Sequence, residues 1–175
     1  MITYYLTLSE KFPSTHPRSG EDTNFEHSLY YAKGCTPYCS VAAFCDRKCL
    51  AHGCKLHTIR ANYAFWAKRF EKIQRGEACL SIRQWVGKPY GKGSTMRELM
   101  RLTREDGIGI QKLEFTQVNL SFPKIDEGKA GSYPRVKFHD LAKNDGLNDE
   151  DWLCWFRDYD LHRPMAIIHF TSFRY

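Results

Sequence analysis

Apolar and polar side chains alternate along residues 2–8, with Ile2, Tyr4, Leu6 and Leu8 set against Thr3, Tyr5 and Thr7. A period of two predicts a half-buried strand. Residues 9–54 carry little periodicity beyond a short helical stretch near 22–32, and they read as an elaborated connection. After Arg60 the period changes. Asn62 is an N-cap candidate for a helix in which Tyr63, Trp66, Phe70 and Ile73 share a face, Lys72 and Arg75 lie late, and Gly76 ends the run. Residues 77–86 alternate again and stop at Gly87-Lys88-Pro89-Tyr90-Gly91, a strand feeding a turn. Strand patterns also fit parts of 96–103, 108–115, 133–138 and 164–171. The last has Pro164 at its start, where the missing N–H matters least. Asn148, followed by Asp149, Glu150 and Asp151, caps a second helix bearing Trp152, Leu153, Trp155 and Phe156. Strands outnumber helices without a steady βαβ alternation. The pattern predicts an α+β fold, a small, mostly antiparallel barrel with two or three flanking helices.

Composition fits one domain spanning residues 1–175. The hydrophobic share of 42% and aromatic share of 14% are enough for a single core, and no low-complexity tract or internal repeat breaks the chain. No apolar run approaches a membrane span and no basic leader precedes the first strand, so the expectation is a soluble, cytoplasmic protein. The formal charge of +6 suits a phosphate-bearing partner, and equally a solvated basic surface.

The segment Lys55-Leu56-His57-Thr58-Ile59-Arg60 concentrates chemistry on a short β-leaning stretch. Only Ile59 is needed for a core. A threonine hydroxyl is a weak nucleophile until a base takes its proton, and a desolvated lysine can be that base. Burial lowers a lysine pKa, whereas a nearby carboxylate raises it. Arg60 shares the strand face of Thr58 and suits a carbonyl, a phosphate or a base edge. In a regular strand Lys55 and Thr58 point to opposite faces, so they meet only if the chain bends near Lys55, close to Gly53.

This segment, the strand over 78–85 with its turn, and Leu141-Ala142-Lys143-Asn144-Asp145-Gly146-Leu147 leading into the Trp152 helix resemble the ASCH domain of the PUA-like superfamily. The Lys-x-x-Thr-Ile-Arg spacing is similar to the active-site segment of bacterial N4-acetylcytidine amidohydrolases. The resemblance implies a PUA-like β-barrel and a catalytic set of Lys55, Thr58 and Asp145, with Asp145 where those enzymes carry Glu. It further implies that Arg60 binds a nucleoside or RNA substrate, and that hydrolysis of its acyl amide needs no cofactor. A non-catalytic RNA-binding module is the alternative the same resemblance admits.

Two further clusters stand out. Cys35, Cys39, Cys45 and Cys49, with Cys54, His52 and His57 nearby, have spacings that admit a structural zinc, and equally free buried thiols; the stretch reads as a Cys-rich insertion within 9–54. Arg83, Trp85 and Lys88, with Gln84, Tyr90 and Lys92, interleave basic and aromatic groups as a nucleic-acid or substrate contact does, although Trp85 also suits a core position. The glycines of 87–94 do not have Walker spacing. His139 and His162 have no partner at metal spacing and read as surface residues.

Overall fold

The computed structural model describes residues 1–34, 54–87, 89, 91–126 and 136–175. Its strands are β1 (Ile2–Leu8), β2 (His57–Arg60), β3 (Ala78–Val86), β4 (Thr95–Leu102), β5 (Gly109–Phe115), β6 (Pro123–Asp126) and β7 (Met165–His169). Its helices are α1 (Phe25–Ala32), α2 (Tyr63–Gln74), α3 (Phe138–Asn144) and α4 (Asp149–Phe156). The fold is therefore α+β.

Local chemistry sets the two best-marked helices. The Asn62 side chain accepts a hydrogen bond from the Phe65 N–H at 3.1 Å, and α2 buries Trp66, Phe70 and Ile73 on one face. Gly76, at φ +77°, ends it in the left-handed region that a glycine adopts without strain. In the same way Asn148 accepts from the Asp151 N–H at 2.8 Å, and α4 drives Trp152 and Phe156 into the core.

The strands form two sheets. One has the order β1-β3-β4, with β1 parallel to β3 and β3 antiparallel to β4. The other has the order β2-β7-β5-β6 and is antiparallel throughout. All five residues of β7 are buried, four of them apolar and the fifth His169, as fits a strand at the centre of a sheet. No closed ladder joins the sheets among the described residues, so the expected barrel appears as two sheets. One side chain spans the seam: Arg60 Nη2 on β2 donates to the Thr7 carbonyl of β1 at 2.6 Å.

Two local expectations need correction. Residues 136 and 137 are irregular and Phe138 opens α3, so no strand runs to 138; residues 133–135 lie outside the described residues. Strand β6 has no counterpart among the predicted elements. It is a four-residue edge strand beginning at Pro123, too short to show a period. No helix among the described residues is long and apolar enough to cross a membrane.

Candidate functional site

Lys55 precedes β2 and does not share its regular geometry. Its N–H donates to the Ser28 carbonyl of α1 at 3.0 Å, the next N–H, of Leu56, donates to the Asn144 carbonyl at 2.8 Å, and Lys55 forms an isolated antiparallel bridge with Asp145. This bridge supplies the bend that lets Lys55 and Thr58 face the same carboxylate.

Asp145 closes α3. The Gly146 N–H donates to the Lys143 carbonyl at 3.1 Å and the Leu147 N–H to the Ala142 carbonyl at 3.0 Å, the paired bonds of a Schellman termination, with Gly146 at φ +78°. The glycine also makes room: a Cβ there would sit 3.4 Å from the Lys55 Cβ and 3.6 Å from the Ser28 Cβ.

The four residues of the Lys-Thr-Arg-Asp set come together. Lys55 Nζ lies 2.5 Å from Asp145 Oδ1 and 2.5 Å from the Asp145 carbonyl oxygen, and the Phe25 ring covers the amine at 3.7 Å from its centroid. An ammonium has three N–H donors, so two carbonyl-type oxygens and one aromatic face account for all of them. Thr58 accepts from Arg60 Nη1 at 2.7 Å, and its hydroxyl supports the Asp145 carboxylate. Asp145 therefore holds the amine directly, while the Thr58 hydroxyl helps to hold its carboxyl down.

The electrostatics follow from burial. Lys55 has 0% of its surface exposed, and burial pushes its amine down to about 8, with Asp145 acting in the opposite direction. Burial likewise raises the Asp145 carboxyl above the usual carboxylate value, against the pull of Lys55, Arg60 and Thr58. Both shifts narrow the gap between acid and base, which is what proton traffic between them needs.

The remaining predicted site residues lie elsewhere. Arg83 is on β3, its guanidinium 4.1 Å from the centroid of the exposed Tyr5 ring and its Nε donating to Ser81 Oγ at 3.0 Å. Trp85 is half-buried and lines a cavity of about 590 Å³ with Thr7, Leu8, Lys11 and Phe12. Thr7 links that cavity to Arg60 through its carbonyl. Lys88 and the zinc candidates Cys35, Cys39, Cys45 and Cys49 lie outside the described residues. Among the described residues no group of three or more His, Cys, Asp or Glu is placed to hold a metal. Cys54 is a half-buried free thiol.

One buried polar cluster had no sequence counterpart. His57 and His169 are register partners on β2 and β7, both with 0% exposure, and their ring centroids lie 5.6 Å apart. His57 Nε2 lies 2.7 Å from the Tyr175 hydroxyl. Burial, reinforced by His169 and Lys55, holds the His57 imidazole well below its usual range, and burial with Arg174 lowers His169 to about 3. Both are neutral near pH 7. His57, which follows the cysteines in sequence, has its Nε2 engaged with a tyrosine.

Comparison with protein-family models, with curated proteins and with solved structures finds no match to this chain.

Proposed function

We propose that this chain is an ASCH-like amidohydrolase that removes an acyl group from the exocyclic amine of a modified nucleobase, with N4-acetylcytidine as the representative substrate. The observation that carries the reading is the buried Lys55–Asp145 pair beside a buried Thr58 hydroxyl that Arg60 holds. Thr58 Oγ attacks the acyl carbonyl carbon. Its proton passes through Asp145 to a neutral Lys55, and Arg60 holds Thr58 and the substrate. The C–N bond breaks as Lys55 returns the proton to the departing amine. Water then cleaves the acyl-threonine ester, releasing the carboxylic acid and restoring Thr58. No cofactor enters these steps. An amine near 8 suits a base working around neutral pH.

Arg60 bridging β2 to β1 supports a PUA-like barrel closed by side chains at that seam. The Cys-rich insertion is where a structural zinc would be held, by Cys35, Cys39, Cys45 and Cys49. The trio is sealed in this structure, and the reading requires the Phe25 ring over Lys55 to yield as substrate enters. Incubation with N4-acetylcytidine tests the reading: cytidine and acetate are expected in equal amounts, and an absence of cytidine under conditions where an established amidohydrolase releases it removes the proposal.

That sealing, together with Arg83 stacked on exposed Tyr5, favours a second reading, a cytoplasmic RNA-binding module without catalysis. It expects salt-dependent RNA affinity that Arg83→Ala weakens and Thr58→Ala leaves intact.

A further inference from the structure

Two chain segments 90 residues apart carry the Lys55–Asp145 pair, and a second polar tie joins the same two segments. The Tyr175 hydroxyl is its centre. It lies 2.7 Å from His57 Nε2, accepts from Asn144 Nδ2 at 3.0 Å, and donates to the Asp140 carbonyl at 3.2 Å. His57 is two residues from Lys55, and Asn144 directly precedes Asp145.

Proton counting fixes how the tie works. A phenol has one hydrogen to give, and giving it to the Asp140 carbonyl rather than to His57 spares the buried, unpartnered Nδ1 a hydrogen it could not share. The hydroxyl oxygen then accepts from Asn144 and from His57, which places the single hydrogen of the neutral imidazole on Nε2. This assignment leaves His57 Nδ1 as a lone pair without a partner, in agreement with its unpartnered state.

Tyr175 is itself held for this task. Its N–H donates to Gln111 Oε1 at 3.1 Å, and its carbonyl accepts from Gln111 Nε2 at 3.3 Å, so one amide on β5 grips its backbone from both sides. Arg174 Nη2 anchors the preceding residue to the Gly107 carbonyl at 2.9 Å, and the Phe173 ring packs edge-on against Tyr175 at 5.0 Å. Asn144 is gripped on two sides as well, since its carbonyl accepts from Leu56.

We infer that Tyr175 and His57 are positioning residues, which set the last turn of α3, and with it the Asp145 carboxylate, against the Lys55 amine. The inference rests on the amidohydrolase reading for its catalytic consequence, while its structural consequence is measurable without turnover. Removing the hydroxyl leaves both side chains of the pair chemically intact. It frees the α3 terminus to shift relative to the β2 leader, and water then gains access to the amine. The charged groups around that amine are Asp145 and Arg60, with neutral His57 beyond.

The experiment is a titration of Lys55 by NMR, with lysine labelled at the ε carbon, in the wild type, Tyr175→Phe and Phe173→Leu. Phe173→Leu perturbs the same terminal segment without touching the hydroxyl. The signal is assigned by its loss in Lys55→Met. Tyr175→Phe is expected to move the Lys55 titration upward, toward the ordinary lysine value, while Phe173→Leu leaves it in place even if both lower the melting temperature. Where the wild type turns over N4-acetylcytidine, kcat should fall about tenfold in Tyr175→Phe with KM little changed. An unmoved Lys55 titration in Tyr175→Phe overturns the inference, as does an equal movement in Phe173→Leu. If Tyr175→Phe does not fold, Asn144→Ala removes the other end of the tie and is judged by the same criterion. A wild type without turnover refutes the amidohydrolase reading alone, and the titration still decides the positioning role.

Discussion

Replacing Asp145 with Asn keeps the shape of the side chain and removes the charge that faces the Lys55 amine at 2.5 Å. Both partners are almost wholly enclosed, with side-chain exposures of 1% and 4%. Removing one member of such a pair costs about 3–5 kcal/mol, because the other charge remains where water cannot reach it. Lys55 avoids part of that cost by giving up its proton. Its pKa is about 8 with Asp145 holding it up, against 10.5 for an ordinary lysine, and it falls further once the carboxylate is gone. Below pH 8 the wild type keeps the proton with help from Asp145, whereas the variant must bury an unopposed ammonium or lose a proton that the unfolded chain retains. Well above pH 8 both folded forms carry a neutral amine, so the difference fades. Asp145→Asn should therefore lower stability by about 1.5 kcal/mol at pH 7, the cost of deprotonating an amine of pKa about 8 one pH unit below that value, equivalent to roughly 5 °C in Tm for a chain of this length, and by much less near pH 9.5. Urea unfolding followed by circular dichroism at both pH values reads this directly. An equal penalty at the two values, or none at pH 7, refutes the reasoning.

Other expectations follow from the same geometry. Gly146→Ala forces a β-carbon into a left-handed backbone at the end of α3 and should cost about 1–2 kcal/mol, seen as a lower urea midpoint. Because burial takes His169 from 6.5 to about 3, the folded form binds fewer protons than the unfolded chain between those values. That contribution to stability is full above pH 6.5 and is lost as pH falls toward 3, so His169→Phe should flatten the acid limb of a stability profile. Arg60→Lys replaces a fork holding the Thr58 hydroxyl and the Ile59 and Thr7 carbonyls with a single ammonium. It should cost roughly 2 kcal/mol in a urea melt and loosen the seam between β1 and β2, read as faster amide exchange there.

The parts of this fold that were legible in the sequence are those set by neighbouring residues. Asn62 and Asn148 cap helices because their side chains reach an N–H three residues on, and the apolar spacing that follows is unambiguous over two turns or more. Helix α3 was not legible, since seven residues beginning at Phe138 are too few to separate a helical period from the alternation that precedes them. Strand β6 failed for the same reason. In the site, the Lys-Thr-Arg segment drew attention through its chemistry, and Gly146 after Asp145 marks a helix end that places a carboxylate. Their meeting was suggested only by the resemblance to ASCH domains. No local pattern could pair Lys55 with Asp145, which an isolated bridge between distant segments decides, or set His57 opposite His169, which the register of β2 on β7 decides. The association of Arg83 and Trp85 with the same site came from the basic and aromatic pattern of β3, but they occupy the other sheet.

In the proposed amide hydrolysis the base is a neutral Lys55, acting with Asp145 on the Thr58 hydroxyl. The pH dependence of cytidine release from N4-acetylcytidine tests it most directly. kcat/KM is expected to rise with pH through an inflection near 8, where the buried amine loses its proton, and Thr58→Ala and Lys55→Met, shown to be folded, are expected to release no cytidine. Absence of release from the wild type at every pH, or an unchanged profile in Lys55→Met, would contradict it.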